Sequence, residues 1–172
     1  MESQNAARAA SRIVFRIGRA GRCIILVAMD PQFTTRFLGT VEEASKAAGV
    51  GNPHTILLSA FQAIIQGDFD SFGAFLTDDV ELRISGTGIF DGVWHGRKDV
   101  VQAARNNYGL LKHQKPEIEA MIAQGDMVAV LMRESGILKT NESNYHFRGV
   151  QWFTLAGGRI HRIEEIMAPS IA

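Results

Sequence analysis

Cysteine is all but missing. Cys23 is the single thiol in 172 residues, so the chain has no internal disulfide and no cysteine-built zinc site, and packing alone must hold its core. An excess of either charge is missing too. Lys plus Arg balance Asp plus Glu at 18 each, which leaves no overall field to draw the protein onto nucleic acid or an acidic membrane. Long apolar runs are absent: Cys23–Met29 spans seven residues, against the roughly 20 needed to cross a bilayer. Metal and cofactor signatures are absent as well. No His-x-His, His-x-x-x-His or Cys-x-x-Cys pair occurs, the carboxylates do not cluster as a calcium loop, and Gly86-Thr87-Gly88 lacks the lysine and hydroxyl of a phosphate loop. No serine occupies a nucleophile elbow. The residues imply no cofactor, no metal, no nucleic-acid partner and no membrane, and the expected location is the cytoplasm.

What is present divides unevenly. Residues 1–28 hold Arg8, Arg12, Arg16, Arg19 and Arg22 against Glu2, five minus one or +4, which leaves −4 for residues 29–172. This basic stretch leads into Cys23–Met29 and then Asp30-Pro31, which stand where a signal peptide would have its small-residue cleavage site. A signal peptide, a transit-type segment, and a disordered tail or over-extended gene start remain open readings, with Met29 an alternative start. Residues 29–53 form a lead-in with a short helix near 40–48, capped by Thr40 and ended by Gly49 and Gly51.

The domain proper opens at Asn52-Pro53, a cap residue followed by a first-turn proline. Ile56, Leu57, Ala60, Phe61, Ile64 and Ile65 then fall on one helical stripe. Gly67 ends that helix and Asp68 caps a shorter one carrying Phe69, Phe72, Phe75 and Leu76. From Val80 the period changes to two, with Val80, Leu82 and Ile84 alternating against Glu81, Arg83 and Ser85, a strand. A third helix is expected over 97–111 after His95-Gly96. From Pro116 onward the pattern predicts strands at 117–124, 126–138, 146–155 and 159–167, separated by hairpin turns. The order predicts an α+β domain with helices gathered on one face of a curved sheet.

Four segments then carry a resemblance. Ile64-Ile65-Gln66-Gly67-Asp68-Phe69-Asp70, Phe75-Leu76-Thr77-Asp78-Asp79-Val80, His95-Gly96-Arg97-Lys98-Asp99 and Phe153-Thr154-Leu155-Ala156-Gly157-Gly158-Arg159-Ile160, in that order, resemble the nuclear transport factor 2-like superfamily, within it the ketosteroid isomerases and SnoaL-like polyketide cyclases. The resemblance covers about residues 54–168. It implies a cone in which a strongly curved mixed or antiparallel sheet wraps three helices around an apolar pocket, and a homodimer formed through the outer sheet face. The isomerase-type oxyanion tyrosine, proton-shuttling aspartate and oxyanion aspartate map near Ala60, Ile84 and Val150, all apolar here. A steroid-isomerase enolate would have neither donor nor base. The cyclase pattern Gly-Lys-Val-x-Glu-His-Trp-Asp-Val, laid on residues 158–166, puts its acid on Glu165, with Ile163-Glu164 in place of His-Trp.

Alternation on the last strand groups Ile163, Glu165 and Met167 on one face. The hairpin register is expected to bring Arg148, Val150 and Trp152, with His146 if the strand starts that early, to that same face. Glu165 is therefore the candidate base, His146 or Arg148 the group holding a substrate oxygen, and Phe61, Ile65, Ile84, Trp94, Val150, Trp152, Ile163 and Met167 the expected lining for a hydrophobic small molecule. Two functions stay open: a cofactor-independent isomerase, cyclase or dehydratase moving protons next to a carbonyl, and a non-catalytic ligand-binding or dimeric scaffold domain. His95 is read as architectural, and His54, His113 and His161 as surface. Residues 1–28 are expected to be dispensable. Thermal denaturation of a 29–172 chain should give a midpoint within a few degrees of the full-length protein.

Overall fold

A computed structural model describes residues 52–170 together with the backbone of Arg16–Ile17 and Cys23–Ile25. The expected helix near 40–48 and the rest of the basic stretch lie outside the described residues. The fold is α+β: helices α1 (Pro53–Ile65), α2 (Phe69–Ala74) and α3 (Arg97–Gly109) lie against a mixed sheet that is curled but not closed. Its strands are β1 (Arg16–Ile17), β2 (Cys23–Ile25), β3 (Leu76–Ser85), β4 (Gly92–His95), β5 (Leu111–Gln124), β6 (Met127–Leu138), β7 (Asn144–Ala156) and β8 (Arg159–Pro169). They run in the order β1-β2-β5-β6-β7-β8-β3-β4. All neighbours are antiparallel except β3 and β8.

Local chemistry starts each helix where the sequence predicts. Asn52 Oδ1 accepts from the His54 backbone N–H at 2.9 Å, with Pro53 in the first turn where its missing N–H costs nothing. Asp68 accepts from the Ser71 N–H at 3.0 Å to open α2. Gly96, at φ +82, makes the sharp approach into α3 beside an exposed His95. His54, expected at the surface, is half buried, and burial lowers its pKa.

Two boundaries differ from expectation, and each has an irregular strand behind it. β3 begins at Leu76, so the expected turn Thr77-Asp78-Asp79 lies inside the strand as a bulge, marked by the register shift between Leu76 and Glu81. β5 begins at Leu111, earlier than the expected start after Pro116, with His113 at φ +56 and a shift between Lys112 and Lys115. A bulge beside Pro116 lets a residue without an N–H sit in a paired strand.

The core lies between the helices and the concave sheet face. Leu57, Leu76, Val80, Val100, Val128, Val130 and Ile160 are fully buried there. The backbones of β7 and β8 approach closely at Gly149. A Cβ at Gly149 would collide with the Ile166 carbonyl oxygen and stand 2.7 Å from Met167 Cα, so only glycine permits this backbone approach. Gly149→Ala should destabilise the domain by about 3 kcal/mol, read as a lower urea midpoint.

Candidate functional site

The curled sheet and the helices enclose a cavity of about 160 Å³. Its walls are mostly apolar: Phe61 and Phe153 meet edge to face at 5.7 Å, and Phe72, Phe90 and Phe147 complete an aromatic lining. Of the residues expected here, Glu165, Phe61, Ile65, Ile84, Ile163 and Met167 are brought together. Ile163, Glu165 and Met167 share a face as the alternation of β8 predicts, with Ile84 the parallel partner of Glu165 on β3.

The expected partners on β7 are not there. Leu155 pairs with Ile160, but Thr154 pairs with Arg162, so His161 is an unpaired extra residue and everything beyond it is shifted by one. Gln151 therefore faces Glu165, while Val150 pairs with Ile166 and Trp152 with Glu164. His146, Arg148, Val150 and Trp152 belong to the outer face. Arg148 is bound to Glu119 there at 2.8 Å. Trp94 also lies away from the cavity: its ring packs over Gly92 and the adjoining core. Arg133 and Glu134, neighbours on β6, point to opposite faces. Arg133 pairs with Glu119 at 2.7 Å on the outer face, and Glu134 turns inward. Arg83 is half exposed beside Glu81, also outside.

The polar part of the cavity is thus Glu165, Glu134, Gln151 and Gln114, with Thr87 and Asn107. Gln151 and Gln114 were missed from the sequence, and alternation alone left open whether Arg133 or Glu134 faces inward, although a signal existed. Val128, Val130 and Met132 are inward at a period of two, which carries Glu134 to the same face. On β7, Tyr145, Phe147, Phe153 and Leu155 set the inward phase to which Gln151 belongs.

The two carboxylates are held differently. Glu134 Oε1 accepts from the Tyr145 hydroxyl at 2.8 Å and from Gln114 Nε2 at 3.0 Å. Desolvation raises its pKa, and both donors pull back toward the charged form. The Tyr145 hydroxyl is itself pushed up by burial and by the Glu134 charge, so it stays a donor. Glu165 has its pKa raised to about 7, first by burial and then by the charge of Glu134, with the Gln151 amide opposing. Both carboxyls are thus raised by burial, Glu134 against two donors and Glu165 against one amide. Among the described residues, no three His, Cys, Asp or Glu side chains are grouped to hold a metal, and no Lys, Arg or His lines the cavity.

Residues 58–163 match the family model described as the SnoaL-like domain. The chain belongs to the SnoaL-like family. The SnoaL-like chain shares its fold with the nuclear transport factor 2-like superfamily. A nuclear transport factor 2-like protein of Burkholderia xenovorans LB400 is 19% identical over 69% of this chain and 91% of its own, with a TM-score of 0.60. A proposed SnoaL-like polyketide cyclase of Shewanella putrefaciens CN-32 is 10% identical over 74% and 86%, at 0.61. A protein of Catenulispora acidiphila DSM 44928 with a ketosteroid isomerase-like fold, solved with trimethylamine, is 12% identical over 66% and 85%, at 0.58. No curated protein matches the chain. At these identities the solved structures establish the SnoaL-like fold and not its chemistry.

A raised carboxylate makes stability depend on pH with a definite sign. The unfolded chain releases the Glu165 proton near the ordinary value of 4.5, and the folded protein holds it until about 7. Stability should therefore fall as pH rises from about 4.5 to 7 and level off above. Urea unfolding at pH 5 and pH 8 should show Glu165→Gln keeping only the slope that belongs to Glu134, and gaining up to about 3 kcal/mol over the native protein at pH 8.

Proposed function

We propose that this SnoaL-like domain is a cofactor-independent enzyme that moves a proton within a small, mostly apolar substrate, with Glu165 as the acid and base. The observation that carries this reading is a carboxylate of pKa about 7 on the wall of an aromatic cavity, opposite Gln151 and, among the described residues, paired with no cation. Such a group is half protonated near neutral pH, where a general acid or base is most effective. Glu134, with its two donors, supplies the fixed charge that keeps Glu165 poised. The Gln151 amide takes the orienting role first given to His146 and Arg148, which lie on the other side of the sheet. A cavity of about 160 Å³ is below the roughly 300 Å³ at which pockets for drug-sized ligands begin. One- and two-ring compounds suit it better than polycyclic ketones. The small molecule held by the Catenulispora relative supports the same scale.

Proton NMR in D2O tests the reaction class. A panel of small cyclic and aryl ketones should lose α-proton signal in the presence of the protein, at a rate rising with pH through about 7. Glu165→Gln should slow that exchange by roughly 10²-fold or more while leaving the fold intact. Exchange by no ketone, or exchange indifferent to Glu165, would leave the non-catalytic reading in place.

The outer sheet face favours a second property, a homodimer. Trp152 is 41% exposed, Val150 37% and Ile166 60%, and the last two are direct cross-strand partners. Exposed apolar neighbours on a sheet mark an association surface. Light scattering after gel filtration should report a dimer for the native chain and a monomer for Trp152→Glu.

A further inference from the structure

Among the described residues no cation offsets the charges of the cavity, and the one buried polar atom of its lining without a hydrogen-bond partner is an acceptor. Glu134 and Glu165 share one apolar enclosure, and among the described residues no Lys, Arg or His reaches its lining. Gln151 is only 7% exposed, lines the same space and stands directly across the sheet from Glu165. Its amide opposes the rise of the Glu165 pKa, and among the described residues its Oε1 is buried with no hydrogen-bond partner. An unpaired buried acceptor is costly, and a second carboxylate in low dielectric is costlier. A ligand that offers N–H donors and one positive charge relieves both. The aromatic lining favours the same charge, because ring faces attract ammonium groups.

We infer that this cavity takes a small apolar amine, its ammonium seated between the Glu165 carboxylate and the Gln151 amide oxygen, with the hydrocarbon part against the phenylalanine rings. The inference deepens the small-molecule reading of this site and rests on it: the substrate would be a compact ring or chain bearing one basic nitrogen. Glu134 acts through its charge, since its Oε1 already accepts from Tyr145 and Gln114. Carboxylic acids are excluded by the same field. A neutral carbonyl ligand would instead require Gln151 to present its NH2 group and Glu165 to hold its proton, so isosteric probes separate the two cases.

Isothermal titration of the full-length protein with cyclohexylamine, cyclohexanol and cyclohexanecarboxylate at pH 7.5 provides the test. The amine should bind at least about tenfold more tightly than the alcohol, and the acid should not bind. Glu165→Gln should weaken the amine about tenfold or more and the alcohol much less. Gln151→Leu, which removes the acceptor without leaving a polar group behind, should lower the preference for amine over alcohol. Equal affinity for amine and alcohol, or amine binding untouched by Glu165→Gln, would overturn the inference. The proton-transfer reading fails separately: α-proton exchange of neutral ketones that persists without amine preference sinks this inference alone. Binding of none of the three probes, with no exchange, sinks both.

Discussion

The register between β7 and β8 is the constraint on which the site depends, and it turns on one unpaired residue. His161 is the extra residue of a bulge, and its ring stands 3.3 Å from both Thr77 Oγ1 and Asp79 Oδ1, inside the bulge of β3. Two irregular strands thus lock into each other. Below the bulge the hairpin follows its Gly157-Gly158 turn; above it Gln151, Gly149 and Phe147 replace their outward neighbours as the residues that line the concave face. The shift is held by burial. In the regular register either Phe147 and Phe153 or Ile163 and Met167 would face water, and each such side chain is worth about 1.5–3 kcal/mol in the core.

That one residue also marks how far the sequence could be read. The helices, their caps, the order of elements and the inward face of β8 follow from local rules. Asn52, Asp68 and the Ile163-Glu165-Met167 alternation carry them without help from distant contacts. The carry-over of a cyclase acid onto Glu165 relied on a pattern within one strand and found a residue that does line the cavity. The β7 residues failed because their facing depends on a bulge, and nothing in Arg159-Ile160-His161-Arg162 announces one. The inward phase of β7 was still visible in its phenylalanines, and Trp152 and Val150 drew attention away from it because outward strand positions are often polar. Here the outward face is apolar, which is itself a reason to look for a surface that covers it.

The cavity separates two carboxylates that would otherwise behave alike. Glu134 has a phenol and an amide to stabilise its charge, whereas Glu165 has one amide and an aromatic wall. Environment separates them: on β6 two donors oppose the rise that burial brings, and on β8 burial and the Glu134 charge raise the carboxyl to about 7. Membership of the SnoaL-like family leaves their chemistry undetermined: of the positions near which the resemblance implied isomerase-type oxyanion and shuttle groups, Ala60 and Ile84 are apolar lining and Val150 is on the outer face. The cavity's polar groups come instead from β5, β6, β7 and β8.

The parallel pairing of β3 with β8 has a consequence for how the molecule is made. The Ser85 hydroxyl donates to the Glu165 carbonyl across a separation of 80 residues. Contacts of such range form late, since the whole intervening loop must be ordered before they repay its entropy. During synthesis the helices and β3 leave the ribosome with their apolar faces bare, and the β5–β7 meander can pair locally while they wait. The cavity and its carboxylate are completed in one final step, when β8 inserts between β7 and β3. The nascent protein is therefore most exposed to aggregation in the interval before its own catalytic-site candidate arrives.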